Sequence, residues 1–319
     1  MVDRLGHWQM RWGFGRMRYR VRPGLYAVGE PQAASPVLVT ANYKMTVDLL
    51  RRELAATNAW LLVLDTRGVN VWCAAGKGTF GTAEIIRQVT ACRLAELVGH
   101  RTLVLPQLGA PGVAAHEVLK GCGFRVIYGP VRAADLPAFL AAGMQATPAM
   151  RRVTFTLGER LVLTPVELTA MWKSLGWGSL LLLLIGGIGP RFFTVEAALQ
   201  RGPAAIAAGL AGVLAGAVVV PVLLPWLPGR MFAVKGAVAG LAVALAGTTL
   251  YGARLGGIDS AALLLALPAV AAWCAMNFTG ATTFTSPSGV EREMRRTLPV
   301  QAAALLAAGT LWIAGAFLP

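Results

Sequence analysis

Among the four cysteines of the chain, Cys73 stands apart by its neighbours. It sits in Asn70-Val71-Trp72-Cys73-Ala74-Ala75-Gly76-Lys77, a loop that follows an apolar run. A thiolate is both a soft metal ligand and a nucleophile. A short helical turn over Trp72 to Ala75, ended by Gly76, would present the sulfur away from a sheet. The flanking alanines are small, which suits the approach of something broad and flat. Any single cysteine can also be a buried small hydrophobe, and that account suits Cys92, Cys122 and Cys274. Wide, irregular spacing and the absence of a CxxC pair argue against a disulfide framework.

Phosphate binding by the same loop fails on spacing. The GxxxxGK[ST] pattern needs a glycine where Val71 stands, and Lys77 is followed by Gly78 rather than Ser or Thr. Gly76, Gly78 and Gly81 do fit GxGxxG, with a helix expected to open at Thr79. That fingerprint should follow its strand directly, whereas several residues including Cys73 separate it from Thr66. A nucleotide-dependent membrane oxidoreductase therefore stays an alternative.

The elements that must position Cys73 alternate. Apolar strands are expected at Pro36 to Ala41, Ala59 to Thr66, Thr102 to Gln107 and Phe124 to Gly129. Helices are expected between them, at Met45 to Ala56, Thr79 to Leu97 and Val113 to Lys120, with a short one at Ala134 to Ala141. Strands separated by such crossovers pair in parallel, so residues 35–165 are predicted as a Rossmann-like α/β domain after a basic arm, 1–34. Arg151 to Pro165 reads as a closing hairpin, from its β-branched residues on either side of Leu157-Gly158-Glu159. In such folds ligands meet the loops at the carboxyl ends of the strands, which adds Thr40, Asn42, Thr66, Gln107, Leu108 and Gly129 as candidate contacts. His7, His100 and His116 do not cluster in sequence, and the last two read as surface or helix-end residues.

The mean hydropathy of +0.60 is concentrated after residue 166. Five apolar stretches, Trp172 to Ile188, Pro203 to Leu224, Met231 to Tyr251, Ser260 to Phe284 and Thr297 to Leu318, approach the ~20 residues that span hydrocarbon. Residues 166–319 are thus predicted as an all-α transmembrane domain of five helices. Gly212 and Gly216, and Gly236 and Gly240, have the spacing that lets helices approach closely in lipid. Asn277, Thr279, Thr282 and Thr283 fall late in the fourth span. Arg230, Lys235, Arg292, Arg295 and Arg296 outnumber Arg191, Arg201 and Arg254 in the alternate connections, which predicts a cytoplasmic N-domain and an outward C-terminus in the inner membrane. The basic, aromatic N-terminus has no continuous apolar core of the signal-peptide kind.

Before residue 166 there are 20 Lys and Arg against 10 Asp and Glu, and after it nine against five, so the halves carry +10 and +4. No zinc-ligand spacing, basic helix or interleaved aromatic platform points to nucleic acid, and anionic lipid is the better partner for that charge.

The stretch from Asn70 to Lys77 resembles the cap-helix motif, Asn-Val/Ile-Trp-Cys-Ala-Ala/Gly-Gly-Lys, of the membrane corrinoid proteins of microbial mercury methylation, the HgcA family. All eight positions match. Thr40 to Leu54 is also similar to the first strand and helix of corrinoid proteins such as the corrinoid iron-sulfur protein. The resemblance implies a cobalamin cofactor, with Cys73 as the lower axial ligand of cobalt and Asn70, Val71, Trp72, Ala74, Ala75, Gly76 and Lys77 shaping the helix beneath the ring. It further implies a methyltransferase that passes a methyl group from a folate-type donor, through methylcob(III)alamin, to inorganic Hg(II). A small ferredoxin-like protein with two 4Fe-4S clusters would supply electrons and deliver Hg(II). A noncatalytic membrane corrinoid carrier is the remaining alternative.

Overall fold

The architecture is that of a computed structural model, which describes residues 3–282, 284–285 and 287–318. The chain forms two compact units, Met1–Thr154 and Phe155–Pro319.

In the first unit, helix α1 (Arg4–Arg11) precedes strand β1 (Gly24–Val28), and the alternating part follows. It runs β2 (Val37–Ala41), α2 (Lys44–Glu53), β3 (Ala59–Leu64), α3 (Val71–Gly76), α4 (Thr82–Ala91), α5 (Leu94–Leu97) and β4 (Thr102–Leu105). A 3-10 turn (Gln107–Gly112), α6 (Ala115–Cys122), β5 (Arg125–Tyr128) and α7 (Leu136–Ala141) complete it. The sheet order is β1-β3-β2-β4-β5. All pairings are parallel except that of β1 with β3, so residues 24–28 of the basic N-terminal segment add an antiparallel edge.

Every residue of the central strand β2 is buried, because both faces of the sheet are covered. Its period of two sends Val37, Val39 and Ala41 to one side with Leu62, Leu64, Leu103 and Leu105, beneath Ile85, Val89 and Val118 of α4 and α6. Leu38 turns to the other side with Leu61, Val63 and Val104, beneath Val47 of α2 and Phe139 of α7. The chain leaves β2 toward β3 and then returns past β2 to β4, so the order reverses between β2 and β4.

Two expectations for this unit need correction. The helix predicted over Thr79 to Leu97 is broken into α4 and α5 at Arg93, whose φ of 48° interrupts it. The helix expected from Val113 begins at Ala115, because Gly109, Pro111 and Gly112 hold the preceding stretch as a 3-10 turn.

The second unit opens with α8 (Leu157–Leu161), α9 (Thr164–Ala170) and α10 (Trp172–Gly186), then a short β6–β7 ladder (Ile188–Gly189 with Phe192–Phe193). It continues with α11 (Val195–Leu214), a π-turn (Ala215–Val219), α12 (Val220–Leu223), α13 (Phe232–Asn277) and α14 (Pro287–Ala314). The hairpin expected over Arg151 to Pro165 does not form. Thr156 and Glu159 instead make a reciprocal capping box, in which the Thr156 hydroxyl accepts from Glu159 N and the Glu159 carboxylate accepts from Thr156 N. A T-x-x-E start therefore overrides the β-branched flanks.

Among the described residues, four segments are long and apolar enough to cross a membrane: Val195–Leu223, Phe232–Gly252, Leu255–Asn277 and Ser288–Ala314. The first of the five expected spans differs. Helix α10 has 15 residues, about 22 Å at 1.5 Å per residue, which is short of the ~30 Å of hydrocarbon. It joins α8–α9 through a bend of 56°, and a fifth span exists only if that bent pair counts as one. The fourth expected span ends at Asn277 rather than Phe284. There Thr279 donates to Met276 O (2.6 Å), Thr282 accepts from Phe284 N (3.0 Å) and Asn277 donates to Trp273 O (3.2 Å). Thr283 lies outside the described residues.

The four spaced glycines all meet the Leu255–Asn277 segment. A Cβ on Gly216 or Gly236 would fall 2.3 or 2.5 Å from Ala271 O, one on Gly240 would fall 2.5 Å from Leu267 O, and one on Gly212 would press on Val270 at 3.2 Å. Backbone therefore packs on backbone.

One half-buried carboxylate ties the first unit's strand end to its helix. Glu84 accepts from Asp65 N at 2.8 Å, from Arg87 at 2.7 and 2.8 Å, and from Gln88 at 3.1 Å. Burial pushes its carboxyl up, but the Arg87 and backbone hydrogen bonds outweigh it, and the group lies below the usual carboxylate range. Its stabilisation is complete above the unfolded-state value and is lost as pH falls through the lower folded value. Glu84→Gln should therefore be less stable than wild type at pH 7, by about 1–2 kcal/mol, with the gap closing in acid. Urea unfolding read by pulse-labelled amide exchange of residues 59–66 checks this, and a pH-independent gap would count against it.

Candidate functional site

Beyond β3 the chain enters a loop that is held from inside. Asn42, at 1% exposure, accepts through Oδ1 from Thr66 N (3.2 Å) and Gly68 N (2.9 Å), and donates through Nδ2 to Asp65 Oδ1 (3.0 Å). The fully buried Thr66 hydroxyl donates to Val69 O (2.6 Å). Arg67 and Gly68 take left-handed conformations, φ 58° and 78°, which an arginine adopts only when its surroundings require it. Asn42 and Thr66, expected as ligand contacts, thus spend their polar atoms on this loop.

The loop delivers Asn70 as the N-cap of α3. Its side-chain oxygen accepts from Cys73 N at 3.0 Å, satisfying one of the free donors of the first turn. Helix α3 covers Val71 to Gly76, one residue longer at each end than the expected turn, and Gly78 ends the segment at φ 76°. Val71, Ala74 and Ala75 are buried, Trp72 and Cys73 are half-buried, and Gly76 and Lys77 are exposed. Ala74 and Ala75 belong to the core beneath the helix, so the inner face is anchored while Cys73 lies at the boundary with solvent. Burial pushes the thiols of Cys92 and Cys122 up, and Cys274 is 2% exposed, consistent with packing roles for all three.

The glycines of the 3-10 turn set the distance between that turn and α3. A Cβ on Gly112 would lie 2.2 Å from Phe80 O and 3.1 Å from Ala75 Cα, and one on Gly109 would lie 2.5 Å from the Phe80 ring. Phe80, Gly109 and Gly112 were missed as members of the site, since their only signal in the sequence is a Gly and Pro content that marks a turn. The Gly76-Gly78-Gly81 triplet does not form a strand-to-helix phosphate turn, because α3 stands between β3 and α4 and the latter starts at Thr82 rather than Thr79.

A cavity of about 280 Å³ lies at the carboxyl ends of β2 and β4, the point where the sheet order reverses. Thr40, Asn70, Val71, Trp72 and Leu108 line it together with Thr46 and Leu50 of α2. Cys73 is next to that lining rather than part of it. Thr40 is 1% exposed and its hydroxyl has no hydrogen-bond partner among the described residues. Buried hydroxyls are ordinarily paired, so this one marks a place for a polar group. Gly129 is not part of the lining; its N–H donates to Leu105 O (2.8 Å), and a Cβ there would press on Val104 at 3.2 Å. Gln107 is engaged by Arg151 at 3.0 Å. His100 bonds Ser35 O at 2.9 Å and His116 is exposed. Among the described residues, no three His, Cys, Asp or Glu side chains converge on a metal position.

Residues 14–140 match the family model of the CO dehydrogenase/acetyl-CoA synthase delta subunit. The chain is 37% identical over 123 residues to the acetyl-CoA decarbonylase/synthase complex subunit gamma of Methanopyrus kandleri, covering 38% of this chain and 26% of that protein. The corresponding subunit of Archaeoglobus fulgidus is 31% identical over 127 residues, covering 39% and 27%. That of Methanothermobacter thermautotrophicus is 30% identical over 122 residues, covering 38% and 26%. The chain thus spans about a quarter of the length of these curated relatives, and the family-model match falls within the first unit.

Asn42→Ala would leave the Thr66 and Gly68 N–H groups buried without an acceptor, at a cost of about 2–3 kcal/mol. Amide exchange over residues 66–76 should accelerate at least about tenfold, while exchange in α6 stays near wild type. Unchanged exchange in the loop would show that Asn42 does not hold it.

Proposed function

We propose that the first unit binds a corrinoid and that the chain is a membrane-anchored, cobalamin-dependent methyltransferase whose acceptor is inorganic Hg(II). The observation that carries this reading is Cys73 at the solvent boundary of a capped six-residue helix, at the carboxyl edge of a parallel sheet. The residues fit such a group. Cys73 offers a single soft donor, which is what a metal already ringed by a macrocycle needs from the protein. The orphan Thr40 hydroxyl and the apolar cavity beside Trp72 suit one polar and one apolar part of a large ligand, of which 280 Å³ takes a fraction.

When bound, the corrinoid supplies a cobalt that carries a methyl group and gives it to an acceptor. The protein's part is positional and electronic. Asn70 fixes the helix start, Ala74 and Ala75 seat the helix on the core, and the sulfur of Cys73 would be the donor that the protein offers to the metal. The exposed Lys77, Gly76 and the half-buried Trp72 would form the surface that meets the ring. Hg(II), a soft cation, is the substrate, and a ferredoxin-like protein with 4Fe-4S clusters and a methyl-folate donor system would complete the cycle as separate partners. The apolar helices of the second unit would hold the chain in the inner membrane, with the first unit in the cytoplasm.

A second reading has specific support. The relatives of the first unit are named as subunits of an acetyl-CoA decarbonylase/synthase complex, which favours a corrinoid carrier that serves another protein.

Anaerobic reconstitution of the full chain with cobalamin separates the two. Wild type should show a corrinoid spectrum and form methylmercury when reduced partner and methyl donor are supplied. Cys73→Ala should keep its circular dichroism and lose activity by about a hundredfold or more. A corrinoid spectrum without methylmercury would favour the carrier, and a fully active Cys73→Ala protein would contradict the proposed role of the sulfur.

A further inference from the structure

The N-terminal segment carries a feature that the corrinoid site does not use. Leu5, Trp8 and Phe14 are 70%, 56% and 60% exposed, a concentration of large apolar side chains at solvent within one short stretch. Six arginines, Arg4, Arg11, Arg16, Arg18, Arg20 and Arg22, accompany them against one acid, Asp3. That acid is turned inward, since it caps α1 by accepting from Gly6 N (2.8 Å) and receives the Tyr19 hydroxyl (2.9 Å).

The helix is fastened by its other face. Gly6 and Met10 are buried, and His7 Nε2 lies 3.0 Å from Asp48 Oδ2 on α2, a carboxylate that Lys44 also engages. Leu5 and Trp8, three residues apart, are therefore held outward on one side, with the Trp12 ring tilted against Trp8 at a centroid distance of 5.9 Å. Tryptophan and leucine flanked by arginine are the composition of a helix that lies in a lipid interface, where rings sit at headgroup level and cations meet phosphate.

We infer that the α1 face bearing Leu5 and Trp8, together with Phe14 just beyond the helix and the surrounding arginines, docks the first unit onto an anionic bilayer surface. The occupant is lipid rather than protein because arginines dominate the charge of residues 3–22, six against Asp3 alone, and the apolar groups are few and protruding. The inference rests on the membrane reading of the second unit, and it makes the first unit a surface-bound domain rather than one that swings freely on its tether.

The test uses the full chain in nanodiscs of phosphatidylcholine alone or mixed with phosphatidylglycerol, with amide exchange read over residues 5–18. Exchange should slow about tenfold in the anionic discs. It should return to the phosphatidylcholine rate at high salt, in Leu5→Ser/Trp8→Ser/Phe14→Ser, and in Arg4→Glu/Arg11→Glu. Equal exchange in both discs, or slowing that survives both variants, would overturn the inference. Slowing in detergent that grows with protein concentration would assign the face to a second copy instead and overturn it equally. A chain that does not enter discs at all would refute the membrane reading itself, an outcome distinct from headgroup-independent exchange in a chain that does enter.

Discussion

A helix of six residues cannot hold itself in water, since nucleating a turn costs more than its few hydrogen bonds return. Everything that places Cys73 therefore comes from outside α3. Asn70 satisfies the amide of Cys73 itself, Ala74 and Ala75 are pressed into the core, and Gly112 lets the neighbouring turn reach Ala75. Behind these stands Asn42, which joins the ends of β2 and β3 and forces the left-handed turn at Arg67 and Gly68. The position of the Cys73 sulfur is thus set by a chain of hydrogen bonds that starts just beyond the most buried strand of the sheet.

The arrangement explains why so small a motif is densely specified. A larger residue at Ala74 or Ala75 would have to displace core side chains, and loss of the Asn70 cap would free the first turn. Trp72 and Cys73 stay half-buried at the rim, where a ligand can reach them. The cavity at the reversal of strand order lies beside the same turn, so the loop after β3 serves both features.

How much of this was legible in the sequence depended on whether the signal was local. The four parallel strands announced themselves as β-branched and leucine runs, and the α3 turn through its small residues and Gly76. Strand β1 did not, because Gly24 to Val28 is half exposed and lies within a basic stretch, so its pairing with β3 is a tertiary fact. Thr156 and Glu159 carried a capping signature that β-branched neighbours obscured. Asn42 and Thr66 were placed near the site for their position at strand ends, but their inward hydrogen bonding needed coordinates. Gly109 and Gly112 were readable only as turn residues, since the Phe80 and Ala75 atoms they approach are distant in sequence. In the second unit the glycine spacing foretold close helix contact, while the length of α10 and its bend did not follow from hydropathy alone.

The central claim is a bond between the sulfur of Cys73 and a corrinoid cobalt. Cobalt K-edge X-ray absorption on the reconstituted full chain measures it directly, because sulfur scatters differently from nitrogen or oxygen at an axial position. The account requires one sulfur neighbour in wild type and none in a chain with alanine at position 73. A first shell of nitrogen and oxygen alone in the wild-type protein would contradict it.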